Sequence, residues 1–383
     1  MLKSYFRFGN LFVNQNLHKM LRLSATRLAS VLFQALISLS LFSQGPVTLP
    51  RVPSPAATVS QKIGISTISI SYSRPSVKGR EIWGALVPYG WNKQLIFGAG
   101  NDAPWRAGAN ENTVLHLSDD ATVEGHHVPA GDYGLFFIIN KDNSGEVVLS
   151  KDYTSWGSFW YDSNLDEMRE KIMVRDNNPT ELLTYEFINL TKTSAELVLN
   201  WEKKQFPVKI EFAVDDIVLA NAKEELKNTK GFTWQGYNSA ANYCLQNNIQ
   251  YDQALKWADQ AVAMNPSFTT YNTRSTALKQ MGNTAESDKA LSDAIDIATE
   301  NELNTYGYTL LNNKQFDKAI EVLTLNTQRH PKSANVWDSL GEGYALKGDK
   351  KNAIPNFKKS LTLNPPPLVK ANSEKYLKQL GAM

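Results

Sequence analysis

The sequence predicts a two-part protein of the β + α multidomain class: an antiparallel β-sandwich followed by a solenoid of α-helical hairpins. Three observations carry this. Over residues 57–214, short alternating segments are separated by turn residues at close intervals, with no long helix interleaved. Pro331 and Pro365 lie 34 residues apart, the period of a two-helix repeat, and Ala319 and Ala353 keep the same phase. Trp337, Leu340, Gly341 and Tyr344 fall at i, i+3, i+4 and i+7, which places them on one face of a helix.

The first 45 residues carry Lys3, Arg7, Lys19, Arg22 and Arg27 and no acidic residue, and residues 28–42 form an apolar run. That pattern reads as a secretory signal peptide over residues 1–43, its apolar run shorter than the about 20 residues a membrane span needs. Met20 is an alternative start, and cleavage is placed near Ser43. Residues 44–56 read as a proline-rich linker. Without the leader, 35 basic residues face 38 acidic ones, so the sequence pI of 8.3 is no sign of nucleic-acid binding. The single cysteine, Cys244, rules out an internal disulfide framework. The expected location is the periplasm or the exterior of a bacterial cell.

Within the sandwich, strands are expected at 113–117, 121–124, 133–139, 146–150, 182–189, 195–201 and 206–213, with an earlier pair split near residues 64–66. Turn residues separate them, such as Pro129-Ala130-Gly131-Asp132 and Asp142-Asn143-Ser144-Gly145. Residues 165–175 fit strand or helix equally. Tyr72-Ser73-Arg74-Pro75, Gly79-Arg80, Leu86-Val87-Pro88-Tyr89-Gly90, the block from Trp105-Arg106 to Asn110-Glu111-Asn112, and Pro129 to Tyr133 occur in order. Together they resemble the secreted bacterial family known as domain of unknown function 2911. The resemblance spans residues 55–213, implies a secreted β-rich domain, and brings no activity with it.

Residues 215–232 read as a connecting helix capped by Asp215 or Asp216. The 334–367 segment, with Trp337, Leu340, Gly341, Tyr344, Ala353, Phe357 and Pro365, resembles a tetratricopeptide (TPR) repeat. Four units are expected over residues 233–367, the second degenerate, and residues 368–383 read as a capping helix. The resemblance implies a protein- or peptide-binding array. Its inner positions carry Ser239, Tyr243, Asn304, Tyr308, Asn335, Asp338 and Glu342, without the cationic clamp that would hold an acidic tail. A lysine-rich C-terminal stretch reads either as a solvated helix face or as a surface steering an acidic partner.

No nucleophile elbow, phosphate loop or zinc-protease motif is present, so the reading is of a non-enzymatic adaptor or scaffold without a cofactor, a hydrolase using Arg106, Glu111 or His116 being the last alternative. His116, His126 and His127 form a weak metal candidate, which would need a hairpin to bring His116 beside one of the pair; the plainer reading is a polar hairpin tip, with Gly125 and Pro129 bracketing His126-His127 in turn context. Arg74, Arg80, Trp105, Arg106, Asn110 and Glu111 are the ligand-binding candidates. Arg106 suits a carboxylate or phosphate, and Trp105 offers a stacking face. The structural alternative, an Arg106–Glu111 ion pair with Trp105 in the core, is preferred. Tyr153, Trp156, Phe159, Trp160 and Tyr161 place five rings in nine positions, either as an edge plug or, through Trp156 and Trp160, as a glycan platform. Mass spectrometry of the mature N-terminus is expected to find a start between residues 43 and 47. An intact Met1 or Met20 on the mature protein overturns the export reading.

Overall fold

A computed structural model describes residues 53–93 and 102–382, so the signal segment and most of the linker lie outside the described residues. The chain divides into two compact units, one of sheets and one of helices.

The first unit is an antiparallel sandwich. Its larger sheet has six strands in the order β1 (Ala56–Ile63), β2 (Ser66–Ser73), β5 (Val114–Leu117), β8 (Gly131–Ile139), β9 (Ser144–Ser150) and β10 (Asp166–Met173). The smaller has β11 (Arg175–Ile188), β12 (Ser194–Phe212), β6 (Ala121–Val123) and β7 (His126–Val128), and β3 (Asn92–Lys93) pairs with β4 (Asp102–Ala103) separately. The sheets face each other through rings: Phe137 on β8 meets Phe206 on β12 at 5.0 Å, and Tyr72 on β2 meets Tyr185 on β11 at 4.7 Å.

Every residue of β8 from Tyr133 to Ile139 is buried, because both faces of this central strand are covered. Phe137 faces the opposing sheet. Phe136 packs on the outer side with Ala103, Val148 and Tyr161.

Three sequence expectations change here. The segments at 195–201 and 206–213 are one 19-residue strand, β12. Glu202, at φ 53°, makes the break in the alternation without ending the strand, and the register against β11 shifts nearby. The ambiguous stretch at 165–175 is a short 3-10 turn at Ser163–Leu165 followed by β10. His126 and His127 lie in β7 rather than in a turn, since the turn itself falls at Glu124-Gly125, both at positive φ.

In the second unit, α1 (Val214–Glu225) starts one residue earlier than expected. Ala213 is its N-cap, and Asp215 and Asp216 sit in the first turn, where they favour the positive end of the helix dipole. Four helix pairs follow: α2 (Trp234–Asn247) with α3 (Tyr251–Met264), α4 (Phe268–Gln280) with α5 (Thr284–Ile297), α6 (Glu300–Asn312) with α7 (Phe316–Arg329), and α8 (Ala334–Lys347) with α9 (Lys350–Leu361). The last element is α10 (Pro367–Gln379).

Small residues let the helices of a pair close. A Cβ on Gly341 would lie 2.9 Å from the Phe357 ring, and one on Gly307 would lie 2.6 Å from Leu323. The degenerate second pair closes differently: the buried Ser275 and Ser287 hydroxyls each donate to the other's backbone carbonyl, at 2.9 and 2.8 Å. Trp337 is half-buried, its indole N–H donating to the Pro331 carbonyl, while Phe357 is fully buried and stacks on Tyr376 at 5.1 Å. The expected large cavity therefore belongs to Phe357 and not to Trp337.

Phe357→Ala is expected to destabilise the last repeat by about 3–5 kcal/mol, and Trp337→Ala by clearly less. Gly341→Leu should be comparably damaging, since it drives a branched side chain into the Phe357 ring. Denaturant unfolding of the three variants checks the order.

Candidate functional site

Two places gather polar side chains, one in each unit. In the sandwich, Trp105 sits in an irregular segment, yet its N–H and C=O exchange hydrogen bonds with Phe137, both at 2.9 Å. Its ring is thereby stacked on Trp201, 5.8 Å away with 15° between planes, and meets Trp83 edge-on at 5.7 Å.

Arg106 follows. Its Nη1 donates to the Asn110 carbonyl at 2.6 Å, and its guanidinium lies 4.8 Å over the Phe159 ring. Burial lowers its pKa from the ordinary arginine value. The seat is tight. Gly157 has φ +64°, and a Cβ there would lie 2.2 Å from the guanidinium carbon. Ala107 is buried at φ 53°, and its carbonyl accepts from both Tyr185 and Thr113.

Around these residues opens a cleft of about 510 Å³. Lys78, Arg80, Asn92, Trp105, Arg106, Ser158 and Trp201 supply its polar lining, and no carboxylate lines it among the described residues. Of the sequence candidates, the cleft unites Arg80, Trp105 and Arg106. Arg74 is elsewhere, fixing β2 to β11 through the Leu183 carbonyl at 3.0 Å and the Thr184 hydroxyl at 2.7 Å. Asn110, at φ 62°, donates to the Ser54 carbonyl, and Glu111 is exposed; neither lines the cleft.

Trp156 and Trp160 are 45% and 54% exposed and also lie off the cleft, while Tyr161 is buried and bonded to Asp166. The aromatic run thus splits between plug and surface. The histidines are not brought together: His116 pairs with Asp132 at 2.8 Å, His126 with Glu170 at 2.6 Å and His127 with Asp120 at 3.3 Å. The strand holding His116 pairs with β2 and β8 and not with β7, so the hairpin a shared metal would require does not form. Among the described residues no group of three potential ligands could hold a metal ion.

The second place is the inner-helix face of the last repeats. Residues at equal phase stand side by side, giving two rows: Asn304, Asp338 and Asn372, and Tyr308, Glu342 and Tyr376. Tyr308 and Tyr376 donate to opposite oxygens of Glu342, at 3.0 and 3.1 Å. Asn372 donates to Asp338 at 2.8 Å and to Glu342 at 3.2 Å, and the Ser373 hydroxyl also donates to Asp338. These donors are neutral. Burial raises the Asp338 pKa, which hydrogen bonds from Ser373 and Asn372 oppose. Burial, then the charge of Glu342, pushes Tyr376 up to about 12, and Tyr308 is raised for the same leading reason.

The Asn304 Oδ1 is buried without a hydrogen-bond partner. Asn335 is half-buried on α8, one turn before Asp338. Tyr243 belongs to the first repeat and donates to Asp215 at 2.7 Å.

Sequence reasoning missed Asn372, Ser373 and Tyr376, although Asn372 and Tyr376 follow Asp338 and Glu342 by one repeat period and could have been found by extending the phase into α10. It also missed Lys78, Asn92, Ser158 and Trp201, for which the sequence holds no comparable signal.

The architecture is that of a β-sandwich joined to a TPR-type helical array. Residues 54–210 match the family described as "Protein of unknown function (DUF2911)", and residues 334–367 match "Tetratricopeptide repeat". No curated protein matches the chain. Among solved structures the chain is similar to YrrB, titled "a TPR protein with an unusual peptide-binding site": 18% identity, 42% of this chain and 83% of that one, TM-score 0.26. It is also similar to MamA (20% identity, 43% and 92% coverage, TM-score 0.27) and to Pseudomonas aeruginosa pilF (21%, 40% and 71%, TM-score 0.26).

The inner-face network has a pH signature. An acid whose folded pKa is raised binds its proton more tightly in the folded state, so stability declines as pH rises from about 4 through the raised value. Asp338→Asn is expected to flatten that decline. Thermal midpoints of wild type and variant between about pH 4 and pH 7 check it, and an unchanged slope counts against the assignment.

Proposed function

We propose that the protein is a non-enzymatic interaction scaffold of the bacterial cell envelope, exported to the periplasm or beyond, whose helical array captures an extended protein segment on its inner face. The observation that carries this reading is the Asn304 Oδ1, a buried acceptor without a partner one helical turn from Tyr308. A peptide N–H laid along the inner helices supplies the missing donor, and the cost of leaving such a group unpaired favours binding. Next to it, Asp338 and Glu342 are held, among the described residues, by neutral donors, so this face accepts backbone N–H groups and basic side chains more readily than acidic tails.

The C-terminal lysines are a separate surface. Lys347 pairs with Asp317 and Lys370 with Glu374, whereas Lys350, Lys351, Lys358 and Lys359 lie on α9, the outer helix of its pair. Among the described residues no helix is long and apolar enough to cross a membrane. The exposed tryptophans at 156 and 160 do not join Trp105 in one platform, and nothing in the comparisons supports a glycan ligand.

Site-specific photo-crosslinking in the full chain tests the proposal. A photoreactive residue at Asn335 is expected to give adducts with an envelope protein, and one at Lys359 or in the sandwich is not. Capture should weaken at high salt, where the screening length falls below the about 10 Å of 0.1 M. Adducts obtained only from the sandwich would move the function to the cleft and reduce the array to a spacer.

A further inference from the structure

We infer that the sandwich cleft is a binding site for a small organic anion, a carboxylate or phosphate carried on an apolar body. Two independent observations meet there. The first is charge. Lys78, Arg80 and Arg106 line one cleft that has no carboxylate among its described lining residues. Arg80 gives its Nε and one Nη to the carbonyls of Val77 and Ser76, which fixes its orientation and leaves its other Nη unbonded among the described residues. The Glu181 carboxylate accepts from the Lys78 backbone N–H at 2.9 Å, and the Lys78 ammonium forms no ion pair among the described residues. A planar guanidinium held in this way is preorganised for an oxyanion.

The second observation is an orphaned donor. Trp201 lines the same cleft, is 1% exposed, and its indole N–H has no acceptor. An indole nitrogen can only donate, and a buried donor normally finds a partner. A ligand oxygen supplies one. The remaining wall is apolar, from Pro53, Pro75, Leu86, Val87, Pro88 and the Trp105 ring, so a bare inorganic ion leaves most of the cleft unfilled. An oxyanion with an attached hydrocarbon or aromatic body satisfies the cations, the indole and the apolar wall together. Arg106, clamped between Gly157 and Phe159, acts as a fixed part of the wall rather than a mobile arm.

The experiment is titration of the full chain with phenyl phosphate, benzoate, inorganic phosphate and neutral benzyl alcohol, followed by calorimetry and by the indole N–H resonances. Phenyl phosphate or benzoate is expected to bind and to shift one indole N–H downfield, the stronger of the two identifying the head group. That resonance is expected to vanish in Trp201→Phe. Arg80→Gln should weaken binding about tenfold or more, the worth of a charge-assisted hydrogen bond, and Lys78→Gln by less. Both residues are on the cleft rim, and unchanged unfolding midpoints show that the variants fold. The proposal is overturned if benzyl alcohol binds as tightly as the anions, or if neither organic anion binds at about 10 mM. It is also overturned if binding is insensitive to both charge substitutions.

Discussion

The stack of Trp105 on Trp201 is the contact on which the sandwich's chemistry depends. Trp201 comes from the long strand β12 and Trp105 from an irregular segment docked on β8, so their rings meet between the two sheets. Trp83 and Phe206 close around the pair at 5.3–5.9 Å. Beside the fixed Trp105, the Arg106 guanidinium lies over the Phe159 ring, and the following backbone takes left-handed turns at Ala107 and Asn110 to return to β5. Residues in such conformations persist only where their surroundings over-determine them, and here the tethers are the Tyr185 and Thr113 hydroxyls.

How much of this was legible in the sequence depends on how local each feature is. The helical repeats were readable because a pair closes over a short span: Gly341 and Phe357 are 16 positions apart and one contact decides their fit. The strands were readable as short alternations, but the continuity of β12 through Glu202 was not, since a bulge in the pattern resembles an end. The roles of Arg74 and the histidines turned on partners as distant as Leu183 and Glu170, fixed by strand order and not by spacing. Trp337, the residue that most clearly marks the repeat, is only half-buried, because its indole N–H reaches back to Pro331 and holds the ring near the surface. Trp201 reads in sequence as an ordinary core ring, and its unpaired nitrogen is visible only once the sheets are assembled.

Both units hold partly buried charges against neutral groups. Arg106 rests on a carbonyl and a ring face, and Asp338 on a hydroxyl and an amide. Neutral hydrogen bonds offset only part of the desolvation cost, so each site remains receptive to a group of the opposite kind. The two differ in sign: the sandwich cleft presents cations, and the inner face of the last repeats presents carboxylates.

The two rows on that inner face give the array a property its backbone alone lacks. Repeat units of one period are interchangeable as scaffolding, and removing any whole unit would leave the remaining helices in phase. The side chains in the rows are not interchangeable. Amide, carboxylate and amide follow one another along one row, and phenol, carboxylate and phenol along the other, so Glu342 receives donors from both sides and Asp338 receives its donors from α10. Splicing out the fourth unit would set Tyr308 against Tyr376 and Asn304 against Asn372, with no acid between them. The solenoid is thus modular in shape but not in its chemistry, and the order of its units carries information that their number does not.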